Sequence, residues 1–218
     1  VLAVGGADTA GARFAALDAG ADDVWPRPMN DTLLLARIRS LLRVRSATEE
    51  LMLRDSTSRA LGFEEARAQF DKAANVALLA PIETDHPGFR QLLQKGLGVP
   101  VRILDTNAVL RANTVQPVPD LFVIDGTHVD THQTKLFGLV SDLRSRMETR
   151  LSTLLIIVPD EMPEVAAMFL DLGADDVVAA SSAEGEITLR AKSLVRRKLL
   201  HDSLRATVRN GLHAAVTD

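Results

Sequence analysis

The chain repeats part of its own sequence at long range. Residues 17–24, LDAGADDV, return as residues 170–177, LDLGADDV, 153 positions later. The same spacing aligns Arg37 with Arg190, and no gap is needed between the two matches. Repeats of solenoid proteins recur about every 20–50 residues, so a repeat at this distance predicts a duplicated domain.

Only the second copy has room for a whole domain before it. The first copy begins close to the start of the chain, and the sequence opens without methionine on the strand-like residues 1–4. We therefore expect the sequence to be a fragment that begins inside the first copy.

Composition narrows the classes of function. Hydrophobic residues make up 46% of the 218 positions, which is enough for packed cores. The formal net charge of −4 argues against a nucleic-acid surface but does not exclude a local basic patch. There is no cysteine, so disulfides, thiolate zinc sites and cysteine nucleophiles are excluded. No apolar run reaches the roughly 18–20 residues of a membrane span, and no signal peptide is present. We expect a cytoplasmic protein with no membrane contact.

Residues 75–180 alternate short apolar runs with helical patterns. Continuous apolar runs are typical of strands that are buried on both faces of a parallel sheet. Five such runs, each followed by a helical pattern, predict an α/β, flavodoxin-like doubly wound parallel sheet. The five runs lie at residues 76–79, 101–104, 121–124, 154–158 and 177–178. Residues 1–45 hold only the last two β-α units of the same plan.

The boundaries of the predicted segments follow from these patterns. We expect a first domain half with an extended last helix at 1–54, a linker at 55–74, a complete domain at 75–198 and a further helix at 199–218. The last helix carries an apolar residue at every fourth position from Leu200 to Leu212. That stripe either packs against its own domain or joins a parallel coiled coil.

The repeated segments resemble receiver domains of response regulators. Residues 16–28, ALDAGADDVWPRP, and residues 33–43, LLLARIRSLLR, are similar to the receiver pattern A-L-x-x-G-A-D-D-[YF]-x-x-K-P followed by E-L-x-A-R-[VI]-x-x-[LH]-L-R. Two such domains joined by a linker like residues 49–62 resemble PleD-type response regulators, which carry a GGDEF diguanylate cyclase domain. Asp218 stands in the place of the first letter of D-x-L-T-G-L-x-N-R-R, the opening of that domain.

The resemblance implies a CheY-like receiver that takes a phosphoryl group from a histidine kinase or phosphotransfer protein. Receivers use an acidic pair that holds Mg²⁺, an aspartate nucleophile, a Ser/Thr and a Lys. Asp125 stands at the nucleophile position of the second domain, but Val158 replaces the Ser/Thr and Ala180 the Lys. We therefore expect Asp125 to be phosphorylated poorly and this receiver to be a degenerate adaptor.

The remaining receiver positions are also altered. Ala80 and Pro81 stand where the acidic pair belongs, although Glu83 and Asp85 lie near. In the first copy Gly5 occupies the Ser/Thr position, Val24 the position of the switching aromatic residue and Arg27 the position of the Lys. These three assignments follow from the same alignment. Arg keeps the positive charge of Lys but not its compact ammonium group, so we expect altered phospho-switching.

Three further clusters have competing interpretations. The pairs at 22–23 and 175–176 resemble catalytic carboxylates, but their position after a glycine predicts a solvated turn. His128, Asp130 and His132 would suit a metal, yet we expect no metal there, and a metal-dependent hydrolase would require stoichiometric metal in the purified chain. The basic residues of the last helix form either a solvated face or a surface for an acidic partner or a nucleotide. These basic residues are Arg196, Arg197, Lys198 and Arg205.

The sequence therefore predicts a non-catalytic regulatory region. By the resemblance, it would dimerise through the last strand and last two helices of its receivers and so control a diguanylate cyclase, which uses GTP and Mg²⁺. Arg59 is the candidate contact for inhibitory cyclic di-GMP. The alternative is a receiver or adaptor region whose output is a DNA-binding or other protein-interaction module.

Overall fold

The computed structural model describes residues 2–5, 10–21, 23–25, 30–60, 73–80, 87–111 and 115–217. Within these ranges the side chains of residues 2, 10, 55–60, 87, 130–132 and 208–217 are not described. We call residues 2–60 the first unit and residues 73–217 the second unit. No helix in the described part of the chain has the length and apolar composition needed to cross a membrane.

The first unit consists of two short strands and two helices. In chain order these are β1 (Leu2–Val4), α1 (Ala10–Asp18), β2 (Asp23–Trp25) and α2 (Asp31–Ala60). β1 and β2 pair in parallel and form a two-stranded sheet. The α2 helix continues six residues beyond the predicted end at residue 54.

The second unit contains the complete doubly wound sheet. Its strands are β3 (Val76–Ala80), β4 (Val101–Asp105), β5 (Leu121–Asp125), β6 (Thr153–Val158) and β7 (Asp176–Ala179). Its helices are α3 (Pro87–Leu97), α4 (Thr106–Arg111), α5 (Val129–Ser145), α6 (Pro163–Asp171) and α7 (Glu184–Thr217). All strand pairs are parallel, in the order β4-β3-β5-β6-β7. This is the flavodoxin-like order, so the predicted fold class is confirmed.

Both faces of the sheet are buried, as the continuous apolar runs predict. Side chains of a strand alternate between faces, so Phe122 and Ile124 join the core beneath α5 and α6. Leu121 and Val123 join the core on the opposite face, beneath α3 and α7. The sheet therefore holds Asp125, the last residue of β5, at the carboxyl edge of its central strand.

Gly126 marks a close approach of two strand ends. A Cβ at this position would lie 2.7 Å from the carbonyl oxygen of Ile157, a backbone atom that cannot rotate away. We expect Gly126→Ala to lower the free energy of unfolding by about 1–3 kcal/mol, the usual cost of overpacking. Gly138→Ala is the matched control. A Cβ at this position in α5 meets nothing within 4 Å, so we expect this variant to raise the free energy of unfolding by about 0.5–1 kcal/mol. Urea unfolding of both variants measures the difference, and equal midpoints would contradict the close approach.

Candidate phosphoacceptor site and the interface between the units

Asp125 lies at the carboxyl edge of the sheet, where parallel α/β sheets place their ligand sites. Its side chain is 4% exposed. The backbone N–H of Thr127 donates a hydrogen bond to its Oδ1 at 2.9 Å, and the Thr127 hydroxyl donates to the same oxygen at 2.7 Å. One carboxylate oxygen is therefore held by the loop that follows β5.

The neighbouring strand ends present apolar side chains to this edge. Val158, at the predicted Ser/Thr position, ends β6 and is buried. Ala180, at the predicted Lys position, follows β7 and donates its backbone N–H to the Val158 carbonyl at 2.8 Å. The next residue, Ser181, bonds through its hydroxyl to Asp160 at 2.5 Å. A methyl and an isopropyl group donate no hydrogen bond, so these two side chains offer no donor to a phosphoryl oxygen.

The described residues do not fit a Mg²⁺ site. Mg²⁺ requires several oxygen ligands around it, whereas Ala80 ends β3 where an acidic ligand is needed. In the described ranges no cluster of three or more metal-binding side chains occurs. Glu83 and Asp85 lie outside the described residues, as do the side chains of Asp130 and His132, so the predictions about these residues stay predictions.

The positions predicted in the first unit are only partly described. Gly5 follows β1, and its backbone N–H donates to the Trp25 carbonyl at 3.0 Å. Its φ of +97° lies in the region that favours glycine. Arg27 lies outside the described residues, and Arg59 lies in α2 with its side chain outside them. Their predicted roles stay predictions.

The two units pack against each other through a buried ion network, which we call the interface network. It consists of Asp23, Arg37, Asp176, Arg190 and Glu186. Asp23 begins β2 and Asp176 begins β7, while the two arginines come from α2 and α7. All five residues are buried. The pairs Asp23–Asp176 and Arg37–Arg190 are equivalent positions of the sequence repeat, so the network has approximate twofold symmetry within one chain.

Each arginine of the interface network bridges the two aspartates. The Arg190 guanidinium donates to Asp23 at 2.8 Å and to Asp176 at 3.2 Å, and it also binds Glu186 at 2.9 Å. Arg37 contacts the same two aspartates, Asp23 and Asp176. Four buried charges, two from each unit, therefore form a closed ring of ion pairs.

This finding corrects the prediction of a solvated turn for Asp23, Asp175 and Asp176, whereas Asp22 lies outside the described residues. Asp23 is 2% exposed and Asp176 is 7% exposed. The second aspartate of each pair is the first residue of a strand, and the opposite unit covers that strand. Asp175 is held by Arg144 at 2.5 Å and Arg197 at 2.9 Å. The sequence could not show this, because the covering surface comes from about 150 residues away along the chain.

The α2 helix extends the interface along the second unit. Arg39 binds Asp171 at 2.7 Å, Ser40 donates to the Ala174 carbonyl at 3.3 Å, and Arg43 donates to the Leu170 carbonyl at 2.6 Å. Farther along, the Thr48 hydroxyl lies 2.7 Å from Nε2 of His201. The first unit is thus fixed to α6, to the turn before β7 and to α7.

Over 221 aligned residues, 100% of the chain, it is 28% identical to the response regulator PleD of Caulobacter vibrioides, of which the match covers 47%. The resemblance to PleD-type response regulators is confirmed. The chain spans about half the length of these curated relatives. No protein-family model matches it.

Solved structures of response regulators also match part of the chain. One, from Hahella chejuensis, is 18% identical, with a TM-score of 0.45, and the match covers 57% of this chain and 95% of that one. A CheY-like response regulator from Mesorhizobium loti is 18% identical, with a TM-score of 0.40, and the match covers 60% of this chain and 99% of that one. The resemblance to PleD rests on a sequence match over the whole of this chain, and the fold assignment rests on the strand order.

Acid should destabilise the interface network. Burial alone raises the pKa of Asp23, but Arg37 and Arg190 outweigh it and hold that pKa well below its usual value of 3.8. A carboxylate with a lowered pKa stabilises the folded state above its unfolded pKa, and this stability is lost as the pH falls towards the folded pKa. We expect the urea midpoint of Asp23→Asn to fall less than that of the wild-type chain between pH 5 and pH 3. If the urea midpoints of Asp23→Asn and the wild-type chain fall in parallel as the pH is lowered, this prediction is wrong.

Proposed function

We propose that this chain is the regulatory region of a PleD-type response regulator and that it controls a diguanylate cyclase output domain. The match to PleD, which covers the whole of this chain and 47% of PleD, supports the regulatory role. The cyclase itself is part of the proposal, because the matched relative extends well beyond the region aligned here.

The observation that carries the proposal is the interface network. It places the last strand and last helix of one receiver-like unit against the same elements of the other, within one chain. A unit with an altered phosphoacceptor site can still serve as the docking surface of a second unit. In this mechanism the second unit is an adaptor, and phosphorylation by a histidine kinase or phosphotransfer protein acts on the first.

Signal transmission would follow α7. This helix contributes Arg190 to the interface network and continues without interruption to Thr217. A change in how the units dock would therefore move the end of α7 and whatever follows it. We propose that two chains associate and that the α7 ends bring two cyclase domains together, each holding one GTP with Mg²⁺.

We propose that self-association uses a surface other than the face that the resemblance implies. In the second unit that face, comprising α6, β7 and α7, is covered by the first unit. Leu35, Leu42 and Leu53 are exposed along α2. A second copy of the chain is the partner we propose for these leucines. Arg59, farther along α2, remains the proposed contact for cyclic di-GMP.

The test is the activity of the complete reading frame. Purified full-length protein, incubated with GTP and Mg²⁺, should form cyclic di-GMP, detected by mass spectrometry. Arg39→Glu places a negative charge beside Asp171, and we expect it to change the rate about two- to fivefold, a modest coupling energy. Arg45→Glu is the control, because Arg45 pairs with Glu49 on its own helix and with no other described residue.

Two outcomes would contradict the proposal. If the complete protein forms no cyclic di-GMP and instead carries a DNA-binding domain, the alternative output is correct and the cyclase assignment is wrong. If Arg39→Glu and Arg45→Glu behave alike in an active cyclase, the interface between the units does not control the output.

A further inference from the structure

A cleft of about 440 Å³ lies between the helices α2 and α7, beside the turn that precedes β6. Cations outnumber anions on its walls. The basic side chains are Arg43, Arg144, Arg150, Arg197, Lys198 and Arg205, whereas the acidic ones are Asp171 and Asp175. The chain as a whole has a net charge of −4, so the positive charge is local.

The acidic groups nearby are already engaged. Asp171 pairs with Arg39, which lies outside the cleft. Asp175 serves two cations at once, Arg144 at 2.5 Å and Arg197 at 2.9 Å. Lys198 is balanced by Asp202 at 2.5 Å. One carboxylate cannot neutralise both Arg144 and Arg197, so part of their positive charge is not balanced by Asp175.

Three further guanidinium groups lack a carboxylate partner in the described part of the chain. Arg43 donates to the neutral carbonyl of Leu170 at 2.6 Å. Arg150 and Arg205 line the cleft, and none of the ion pairs between described residues includes their side chains. The three arginines come from α2, from the turn before β6 and from α7. They therefore converge on one cleft from three separate segments.

The cleft also has an apolar wall. Leu151 is 41% exposed and Leu172 is 38% exposed, and both line the cleft together with Val44 and Ala47. A cleft of a few hundred Å³ with apolar walls and a few converging polar groups is the usual form of a small-molecule site. The arginines supply the polar groups here.

The environment of His201 agrees with the positive potential. Burial is the main cause that lowers its pKa, and the neighbouring charges of Arg205 and Arg197 lower it further, while Asp175 and Asp202 act in the opposite direction. An imidazole whose protonation is opposed by adjacent cations lies in a region that favours anions.

We propose that this cleft binds a phosphate-bearing small molecule of nucleotide size. Guanidinium groups bind phosphate in bidentate fashion, so Arg43, Arg150 and Arg205 bind the phosphate groups. The apolar part of the ligand rests on Leu151 and Leu172. Since Arg43 belongs to the first unit and the other two arginines to the second, the ligand holds the units together. The proposal is independent of which output domain the protein carries.

Calorimetric titration of the chain with ATP and with inorganic pyrophosphate tests the site. We expect saturable binding of one ATP per chain, with weaker binding of pyrophosphate. Arg150→Gln and Arg205→Gln should each weaken ATP binding about tenfold, because each removes a charge-assisted hydrogen bond. Among the described residues neither side chain has an ion-pair partner to lose, so we expect both variants to fold. Arg196→Gln is the matched control, since Arg196 is exposed on α7 and lies outside this cleft.

The affinities of the variants show whether the site exists. Loss of affinity in Arg150→Gln and Arg205→Gln, with Arg196→Gln within about twofold of wild type, supports the site. Equal weakening by all three variants would mean nonspecific charge attraction and overturn it. Absence of saturable binding of both probes up to about 5 mM would also overturn it. Equal affinity for ATP and pyrophosphate would overturn the apolar contact.

Discussion

Replacing Arg190 with methionine should lower the free energy of unfolding by about 3–5 kcal/mol, the usual cost of removing one partner from a buried ion pair. The Arg190 guanidinium binds Asp23, Asp176 and Glu186. Methionine leaves these three buried carboxylates with fewer compensating charges and cannot donate a hydrogen bond. Chemical denaturation at pH 7, monitored by circular dichroism, measures the loss.

Arg45→Met is the control for this experiment. Arg45 forms an ion pair with Glu49 on the exposed surface of α2, and such pairs contribute about 0–1 kcal/mol. If Arg190→Met costs no more than Arg45→Met, then the interface network does not stabilise the folded chain.

Replacing Phe169 with alanine should lower the free energy of unfolding by about 3–5 kcal/mol, because it leaves a large cavity. Phe169 is fully buried in the core beneath α6. Its ring meets that of Phe137 edge to face, with centroids 4.7 Å apart, a contact worth about 0.5–1.5 kcal/mol beyond burial. Met168, the preceding residue, is 48% exposed, so Met168→Ala should cost under about 1 kcal/mol. Similar losses in the two variants would contradict this orientation of α6.

The sequence predicted the second unit well because its signals are local. Five continuous apolar runs identify five buried strands, and Gly173 after α6 marks the end of that helix. Periodicity and turn residues depend on neighbours a few positions away. The strand order then follows from the few topologies that parallel sheets allow.

The interface between the units was not predictable in the same way. Arg37 and Arg190 were visible as matching positions of the repeat, but nothing in the sequence indicated that each would bind the aspartates of both units. In the sequence, the carboxylates at 23 and 176 are typical of turn residues. Their burial depends on the opposite unit, which covers them. Thr127 was also missed, although a hydroxyl two residues after a buried aspartate is well placed to bond it.

The two units dock within one chain through the interface network. The direct test is a double-mutant cycle on Arg37 of the first unit and Asp176 of the second. Stability is measured for the wild-type chain, Arg37→Gln, Asp176→Asn and the double variant, at two protein concentrations. The chain contains no cysteine, so unfolding needs no reducing agent.

Docking within one chain predicts a coupling energy of at least about 1 kcal/mol between the two substitutions, since residues in one ionic network are strongly non-additive. It also predicts that the coupling is the same at both protein concentrations. Additive effects, within about 0.5 kcal/mol, would contradict contact between the units. Coupling that appears only at the higher concentration would show that the pair forms between chains instead.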